Sequence, residues 1–187
     1  MKALSLALIV SLSPGVAAAG SLEDNMKAFV DTEVRSKLAD PMITAAIIGA
    51  NAASMALTPN DIQTLDGQWK AEVGKGSALI KGVAENATSA VLRDYVFSSA
   101  GKITEVILMD AKGLNVAVSD VTSDYWQGDE EKYQLTYGVG PDAFHVSEVE
   151  FDESTQTYQA QVSFTITDPA TGLSIGAATI GVNAESF

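Results

Sequence analysis

The side chains best suited to binding a ligand are concentrated in one polar stretch, residues 120–141. Four aromatic residues lie within it: Tyr125, Trp126, Tyr133 and Tyr137. Aromatic rings in a surface loop can wall a pocket and offer cation–π contact to an amine. They can also fold down to cover an exposed face of a sheet. The two interpretations are compatible, because a loop that covers a sheet often encloses a pocket.

The same stretch is rich in carboxylates, which are hard oxygen ligands. Asp120, Asp124 and Asp129 are candidate ligands for Ca²⁺, and Glu130 and Glu131 follow them directly. Their spacing is not that of an EF-hand loop. A solvated run of charge is therefore the favoured interpretation of these residues.

Catalytic chemistry finds little support in the residue types present. His145 is the only histidine, and the strand that carries it places Ser147 on the same face without a third group to orient the ring. The chain has no cysteine, which excludes zinc, haem and iron–sulfur sites built on thiolates. We therefore expect a protein that is not an enzyme and that carries no cofactor.

The first part of the chain, residues 20–101, has the periodicity of helices. Apolar residues recur at helical spacing from Leu22 to Val34. Asp40 before Pro41 and Thr58 before Pro59 are typical of helix starts. A further helix is predicted from Asn86 to Ser99.

The second part, residues 102–187, changes to the periodicity of strands. The predicted strands are Ile103–Met109, Leu114–Ser119, His145–Phe151, Tyr158–Ile166 and Ser174–Val182. The turn Asp110–Gly113 joins the first two as a hairpin. We expect one α+β domain, with the helices packed on one face of a five- to six-stranded antiparallel meander and the loop 120–141 inserted in it.

Polar residues alternate along the clearest of these strands, at Gln159, Gln161, Ser163 and Thr165. If the apolar residues between them pack on the helices, this polar row faces the loop 120–141 and offers hydrogen bonds to a ligand. Gln161, Ser163 and Ser119, at the end of the second strand, are therefore candidate ligand-binding residues. Plain solvent exposure is the alternative, as on any half-buried sheet.

Charge and the N-terminus bear on partners and location. The chain has 24 acidic and 11 basic residues and a net charge of −13, which disfavours nucleic acid and anionic lipid surfaces as partners. Lys2, an apolar run from Ala3 to Leu12 and small residues at 17–19 are typical of a secretory signal peptide. We expect cleavage after Ala19 and a periplasmic or secreted domain without membrane insertion; a buried N-terminal helix is the alternative.

The order of these motifs resembles that of extracellular Cache (PAS-like) sensor domains. The resemblance lies in the hairpin 106–117 with its Asp-x-x-Gly turn, the loop Asp124–Asp129 at the position of the family's pocket loop, and the closing hairpin, 162–169 with 175–182. More narrowly, the chain is similar to small periplasmic single-Cache proteins. The resemblance implies a ligand-sensing fold that holds a small molecule between the sheet and the long loop.

One feature of that family is missing. Its amino-acid-binding members hold the ligand carboxylate with an arginine near the pocket aromatics, whereas Arg35 and Arg93 both lie in the helical part of this chain. By the resemblance, Tyr125, Trp126 and Tyr137 would be aromatic walls and Asp168 would bind an amine. The implied ligand is an amine or a neutral polar molecule rather than a carboxylate.

Two functions follow as expectations. The first is a periplasmic binding module that presents its ligand state to a membrane receptor or kinase. The second is an exported protein with the same fold, a structural or interaction role and no ligand.

Overall fold

The computed structural model describes residues 21–153 and 156–187, so the predicted signal peptide at 1–19 lies outside the described residues. No single helix in the described ranges is long and apolar enough to cross a membrane. Two consecutive helices, Pro41–Ser54 and Pro59–Glu72, are long and apolar enough only if they are taken together, and the chain bends by 116° between them.

The helices begin with a long segment that has one buried face. α1 (Leu22–Phe29) runs through a π-helical turn, Val30–Val34, into α2 (Arg35–Leu38). Ser21 and Asp24 form a capping box at its start. Of the apolar residues at helical spacing, Met26, Val30 and Val34 are buried, whereas Leu22 at the start of α1 is 39% exposed. Leu38 continues the buried face into α2.

Four further helices precede the sheet: α3 (Pro41–Ser54), α4 (Pro59–Glu72), α5 (Ala78–Ala84) and α6 (Ala87–Ser98). The predicted starts are confirmed, since Asp40 accepts a hydrogen bond from the Met42 amide and Thr58 forms a capping box with Asp61. α5 was not predicted. Seven residues with a glycine among them give too few turns for a periodic pattern.

The sheet has six antiparallel strands: β1 (Ile103–Met109), β2 (Asn115–Val118), β3 (Phe144–Val146), β4 (Glu150–Asp152), β5 (Thr157–Thr167) and β6 (Ser174–Asn183). Their order is β2-β1-β6-β5-β3, and β4 also pairs with β5. The α+β class is confirmed. The predicted meander is wrong, because the last strand lies between β1 and β5 rather than at an edge.

β6 approaches β1 closely at two glycines. A Cβ atom at Gly176 would lie about 2.1 Å from the Met109 carbonyl oxygen, and one at Gly181 would meet the Thr104 side chain. The apolar β1 needs a neighbour on each side, and the small residues of β6 let it pair closely there.

The predicted strand 145–151 is interrupted, which gives β3 and β4 as separate strands. At the break the Ser147 hydroxyl accepts a hydrogen bond from the Gln161 amide at 2.8 Å, in place of a backbone carbonyl. The ladder with β5 resumes at Glu150. The break turns residues 147–149 away from the regular strand path.

Two apolar cores lie on opposite faces of the sheet. On the first face, Val106, Leu108, Phe164 and Ile180 pack against α1, α3 and α6. On the second face, Ile107, Met109, Val118 and Ala177 pack against Trp69 of α4, against α5 and against loop tyrosines. Residues 120–141, which contain the short helix α7 (Glu131–Gln134), cover the second face and are called the lid below.

Candidate functional site

The first part of the lid is held to α4 by a buried carboxylate. Asp66, which is 5% exposed, accepts hydrogen bonds from the backbone amides of Tyr125 at 3.0 Å and Trp126 at 3.1 Å. The Lys70 ammonium lies 2.7 Å from Asp66 and 2.6 Å from Asp124. These contacts fix the path of the lid where it leaves β2.

The charges of this cluster stabilise one another. Hydrogen bonds to Asp124 and Asp66 raise the pKa of the Lys70 ammonium. Burial alone would raise the pKa of the Asp124 carboxyl, but hydrogen bonds from Lys70 and Ser123 outweigh it, and the pKa is lowered. Both groups are therefore charged at neutral pH, and the ion pair persists.

The four lid aromatics lie against the protein itself. Tyr125 stacks on Trp69 with ring centroids 5.4 Å apart, and the Trp126 indole donates to the Lys112 carbonyl at 2.8 Å. Tyr133 stacks on Tyr137 at 5.4 Å, and the Tyr133 hydroxyl donates to the Ala111 carbonyl at 2.7 Å. This is the arrangement of a lid that covers a sheet face. Their predicted role as pocket walls stays a prediction.

Three other predicted ligand-binding residues are hydrogen-bonded within the fold. Ser119 accepts from the Val106 amide at 2.9 Å. Ser163 is fully buried and shares a hydrogen bond of 2.9 Å with Thr179. Asp168 closes the turn between β5 and β6 by accepting from the Ala170 amide and the Thr171 hydroxyl.

A groove of about 670 Å³ lies between the lid and the strands β4 and β5. Of the predicted ligand-binding residues, Gln161 lines this groove. Other residues that line it are Gln159, Ser147, Phe151 and Lys132. Six carboxylates line the same space, and we call it the acidic groove: Glu130, Glu131, Glu148, Glu150, Asp152 and Glu153.

The electrostatics of the acidic groove favour a cation. Lys132 is its one lysine, and the ammonium already pairs with Glu130 at 2.9 Å and donates to Gln127 at 3.2 Å. Six carboxylates against one ammonium leave a large excess of negative charge on facing walls. Such a concave surface raises the local concentration of cations.

Part of this groove is visible in the sequence as a repeat of carboxylates. Glu148, Glu150 and Asp152 recur with a period of two, which would place three carboxylates on one face of a strand. What the spacing could not show is the opposite wall. Glu131, the first residue of α7, and Glu130, directly before that helix, reach it, and the sequence pattern did not predict α7.

The candidate calcium ligands are not gathered around a common point. Asp124 is paired with Lys70, and Asp120 accepts a hydrogen bond from the Val121 amide. Within residues 21–153 and 156–187, no group of three or more His, Asp or Glu side chains is arranged to hold a metal ion. The calcium site stays a prediction.

No protein-family model and no curated protein sequence matches the chain. Among the solved structures to which it is similar are several bacterial sensor domains. The ligand-binding domain of the Campylobacter jejuni chemoreceptor Tlp3, in complex with 4-methylisoleucine, is 15% identical with a TM-score of 0.41, over 94% of this chain and 65% of that one. The sensor domain of the V. cholerae histidine kinase DctB is 12% identical with a TM-score of 0.39, over 85% and 57%.

The third is the ligand-binding domain of the Pseudomonas aeruginosa amino acid chemoreceptor PctC in complex with GABA, which is 16% identical with a TM-score of 0.42, over 67% of this chain and 58% of that one. The chain spans less than two thirds of the length of each of these domains. It is similar to Cache-type sensor domains of chemoreceptors and histidine kinases. Nothing about its own ligand follows from that similarity.

Proposed function

We propose that this chain is an exported, Cache-type sensor module that binds a small amine-bearing or neutral polar molecule in the acidic groove. The observation that carries the proposal is the groove itself, about 670 Å³ between the lid and β5 with six carboxylates on its walls. Its volume is within the range of small-molecule sites. Residues of β5 and of the lid line it together, among them Gln159, Gln161 and Glu131.

The lining residues suit a cationic amine. Carboxylates on both walls can accept its N–H groups, and Gln161, which donates to Glu105 at 2.9 Å, holds its amide in place beside them. An anionic ligand would meet repulsion from the same walls.

Binding would act on the lid from its far end. The near end is anchored by Asp66, whereas Glu130 and Glu131 border the groove opposite Glu150 and Asp152. A cation that contacts the carboxylates of both the lid and β4 binds more tightly when the lid lies close to β4. It would therefore shift the population of lid conformations, which a membrane receptor or kinase could read.

The test is a thermal-shift titration with 1,4-diaminobutane, alongside the uncharged 1,4-butanediol and a panel of amino acids, carboxylates, purines and Ca²⁺. A ligand at 100 times its Kd adds about 2.7 kcal/mol of stability. For a domain of this size that corresponds to about 5–11 °C in Tm. We expect a shift with the diamine and none with the diol.

Charge-neutral variants locate the site. Glu131→Gln and Glu150→Gln, one on each wall, should each weaken diamine binding at least tenfold by calorimetry. Asp142→Asn removes an exposed carboxylate that does not line the groove, so it controls for net charge. Equal weakening in all three variants, or no binding of any panel member, would count against the proposal.

The alternative, a structural or interaction role, is favoured by a different observation. Phe151 and Tyr158 form an exposed aromatic pair on the β4–β5 hairpin, 49% and 52% exposed with ring centroids 5.3 Å apart. Exposed aromatic side chains are enriched at protein interfaces. A pull-down from periplasm in which capture is lost with Tyr158→Ser and unaffected by diamine would support this role over the sensor.

A further inference from the structure

A small cavity lies between α2 and the end of β5. It has a volume of about 180 Å³, and none of its lining residues lines the acidic groove. Among the described residues, the backbone ladder on the β3 side of β5 ends with the bond from the Thr165 amide to the Ala143 carbonyl at 3.2 Å. β5 continues to Thr167, and the cavity is the space between this last part of the strand and α2.

The charged side chain that lines this cavity is Arg35 of α2. No carboxylate of the described residues lines it, although acidic residues outnumber basic residues by 24 to 11 in the chain. The Arg35 side chain is 36% exposed, so a solute can reach it. The wall of this cavity therefore attracts anions, whereas the acidic groove repels them.

Two contacts hold the Arg35 guanidinium in place. Its Nε donates to the Asp31 carboxylate at 2.8 Å, and its Cζ lies 4.3 Å from the centroid of the Phe164 ring. Within the described ranges, its terminal nitrogens Nη1 and Nη2 donate no hydrogen bond. A guanidinium binds a carboxylate through two parallel N–H···O bonds, and an orientation that is already fixed lowers the entropic cost of forming them.

The other walls of the cavity are mainly apolar. Leu38, Phe164 and Ile166 are buried, whereas Ala39 is exposed and Thr167 is half-buried. A ligand can therefore lie against apolar side chains without entering the core. A volume of 180 Å³ corresponds to about six water-sized groups, which limits the ligand to a carboxylate with a short hydrocarbon chain.

We infer that this cavity is a second binding site, for a short-chain monocarboxylate whose carboxylate group pairs with the Arg35 guanidinium. The apolar walls cover its hydrocarbon chain. Arg35 belongs to the helical part of the chain, and the fold brings it to the end of β5. This site goes beyond the proposed function and does not depend on it, because it takes an anion and shares no residue with the acidic groove.

The test is an NMR titration of the full chain, labelled with ¹⁵N, with n-butyrate as the probe. We expect saturable shifts at the Arg35 Nε–H group and at the backbone amides of residues 38–39 and 164–167. n-Butanol lacks the charge, and n-butylammonium carries the opposite one. Each should bind at these residues at least tenfold more weakly than n-butyrate.

A pair of charge variants on α2 separates a specific contact from a general effect of net charge. Arg35→Met keeps an unbranched side chain over the Phe164 ring and should weaken n-butyrate at least tenfold. Lys37→Met removes one positive charge from an exposed position that does not line the cavity, and it should change the affinity less than twofold. Equal weakening in the two variants, or unchanged binding in Arg35→Met, would overturn the proposal.

A pair of steric variants locates the hydrocarbon chain. Ala39 lines the cavity from an exposed position, so Ala39→Trp should fill it and abolish the shifts, whereas Ser36→Trp, exposed on the same helix and outside the cavity, should leave them. The proposal is also overturned if n-butyrate shifts no amide of 164–167. Shifts there that follow the protein concentration rather than n-butyrate would overturn it in favour of a second copy of the chain as the occupant. Should Ala39→Trp not fold, the comparison of Arg35→Met with Lys37→Met decides alone.

Discussion

The two faces of the sheet differ in composition, and the difference separates stability from chemistry. The first face carries an apolar core that packs against α1, α3 and α6. The second face changes along the sheet, from Ile107 and Met109 beneath the lid aromatics, through the hydroxyl pair Ser163 and Thr179, to Gln161 at the acidic groove. The polar side chains that line the acidic groove lie on the second face.

The strand β5 carries both characters at once, because successive side chains point to opposite faces. Phe164 belongs to the first core and Ser163 to the second face, one residue away. The lid is needed for the same reason. A face with buried hydroxyls and exposed carboxylates cannot be closed by an apolar helix without leaving polar groups unpaired.

The largest expected effect is on the first face. Phe164→Ala should lower the free energy of unfolding by about 3–5 kcal/mol, since it leaves a cavity in a core where the ring is 2% exposed. Urea denaturation measures this loss. Phe97→Ala, at a ring that is 90% exposed, should change stability by less than about 0.5 kcal/mol. Equal losses in the two variants would break the comparison between core and surface.

A smaller loss of stability is expected from a substitution at the contact between the lid and α4. Asp66→Ala should cost about 1–3 kcal/mol, because it leaves the Tyr125 and Trp126 amides without an acceptor. Hydrogen exchange should speed up at those two amides and stay slow in β1 and β6. Gln63→Ala, at an exposed position of the same helix, is the control. Faster exchange throughout the sheet would show that the lid and the first face are one cooperative unit.

The pH dependence of the lid follows from Asp124. Its pKa in the folded chain lies below the ordinary value of 3.8, so the stabilisation it gives is present above about pH 4. That stabilisation is lost as the pH falls through the folded-state pKa. Fluorescence of Trp69 and Trp126 between pH 5 and 2 should report the release of the lid. Lys70→Met should weaken this dependence, and an unchanged profile would contradict the role of the ion pair.

The smallest effect on stability is expected in the acidic groove. Glu150→Gln should change the free energy of unfolding by less than about 0.5 kcal/mol, because the side chain is exposed. If Glu150→Gln raises the Tm by removing one of the groove's repelling charges, that increase should become smaller at higher salt concentration. The reason is that salt screens the repulsion among the groove carboxylates. A loss above 1 kcal/mol would mean that these carboxylates hold the fold, and it would remove the distinction between the two faces.

Strong local patterns were predictable. The alternation in β5, the helical spacing from Leu22 to Val34, and the caps at Asp40 and Thr58 all depend on residues that are near one another in sequence. α5 and the break between β3 and β4 were missed. The first is too short to show a period, and the second depends on the Ser147 hydroxyl, which bonds to a strand fourteen residues away.

The candidate site was predictable only in part. Gln161 lies where the alternation placed it, on the second face at the groove. The lid aromatics were expected near the ligand, yet Tyr125 stacks on Trp69, 56 residues earlier in the chain. Local spacing cannot identify a partner at that distance.

The sequence by itself determined the α+β class, the alternation of β5 and the excess of negative charge, because each depends on composition or on short-range backbone preference. The tertiary structure decided that β6 lies between β1 and β5 and that the lid and β4 bring their carboxylates to one groove. Those outcomes depend on the packing of both faces of the sheet at once, which joins residues far apart in the chain and which no local pattern encodes.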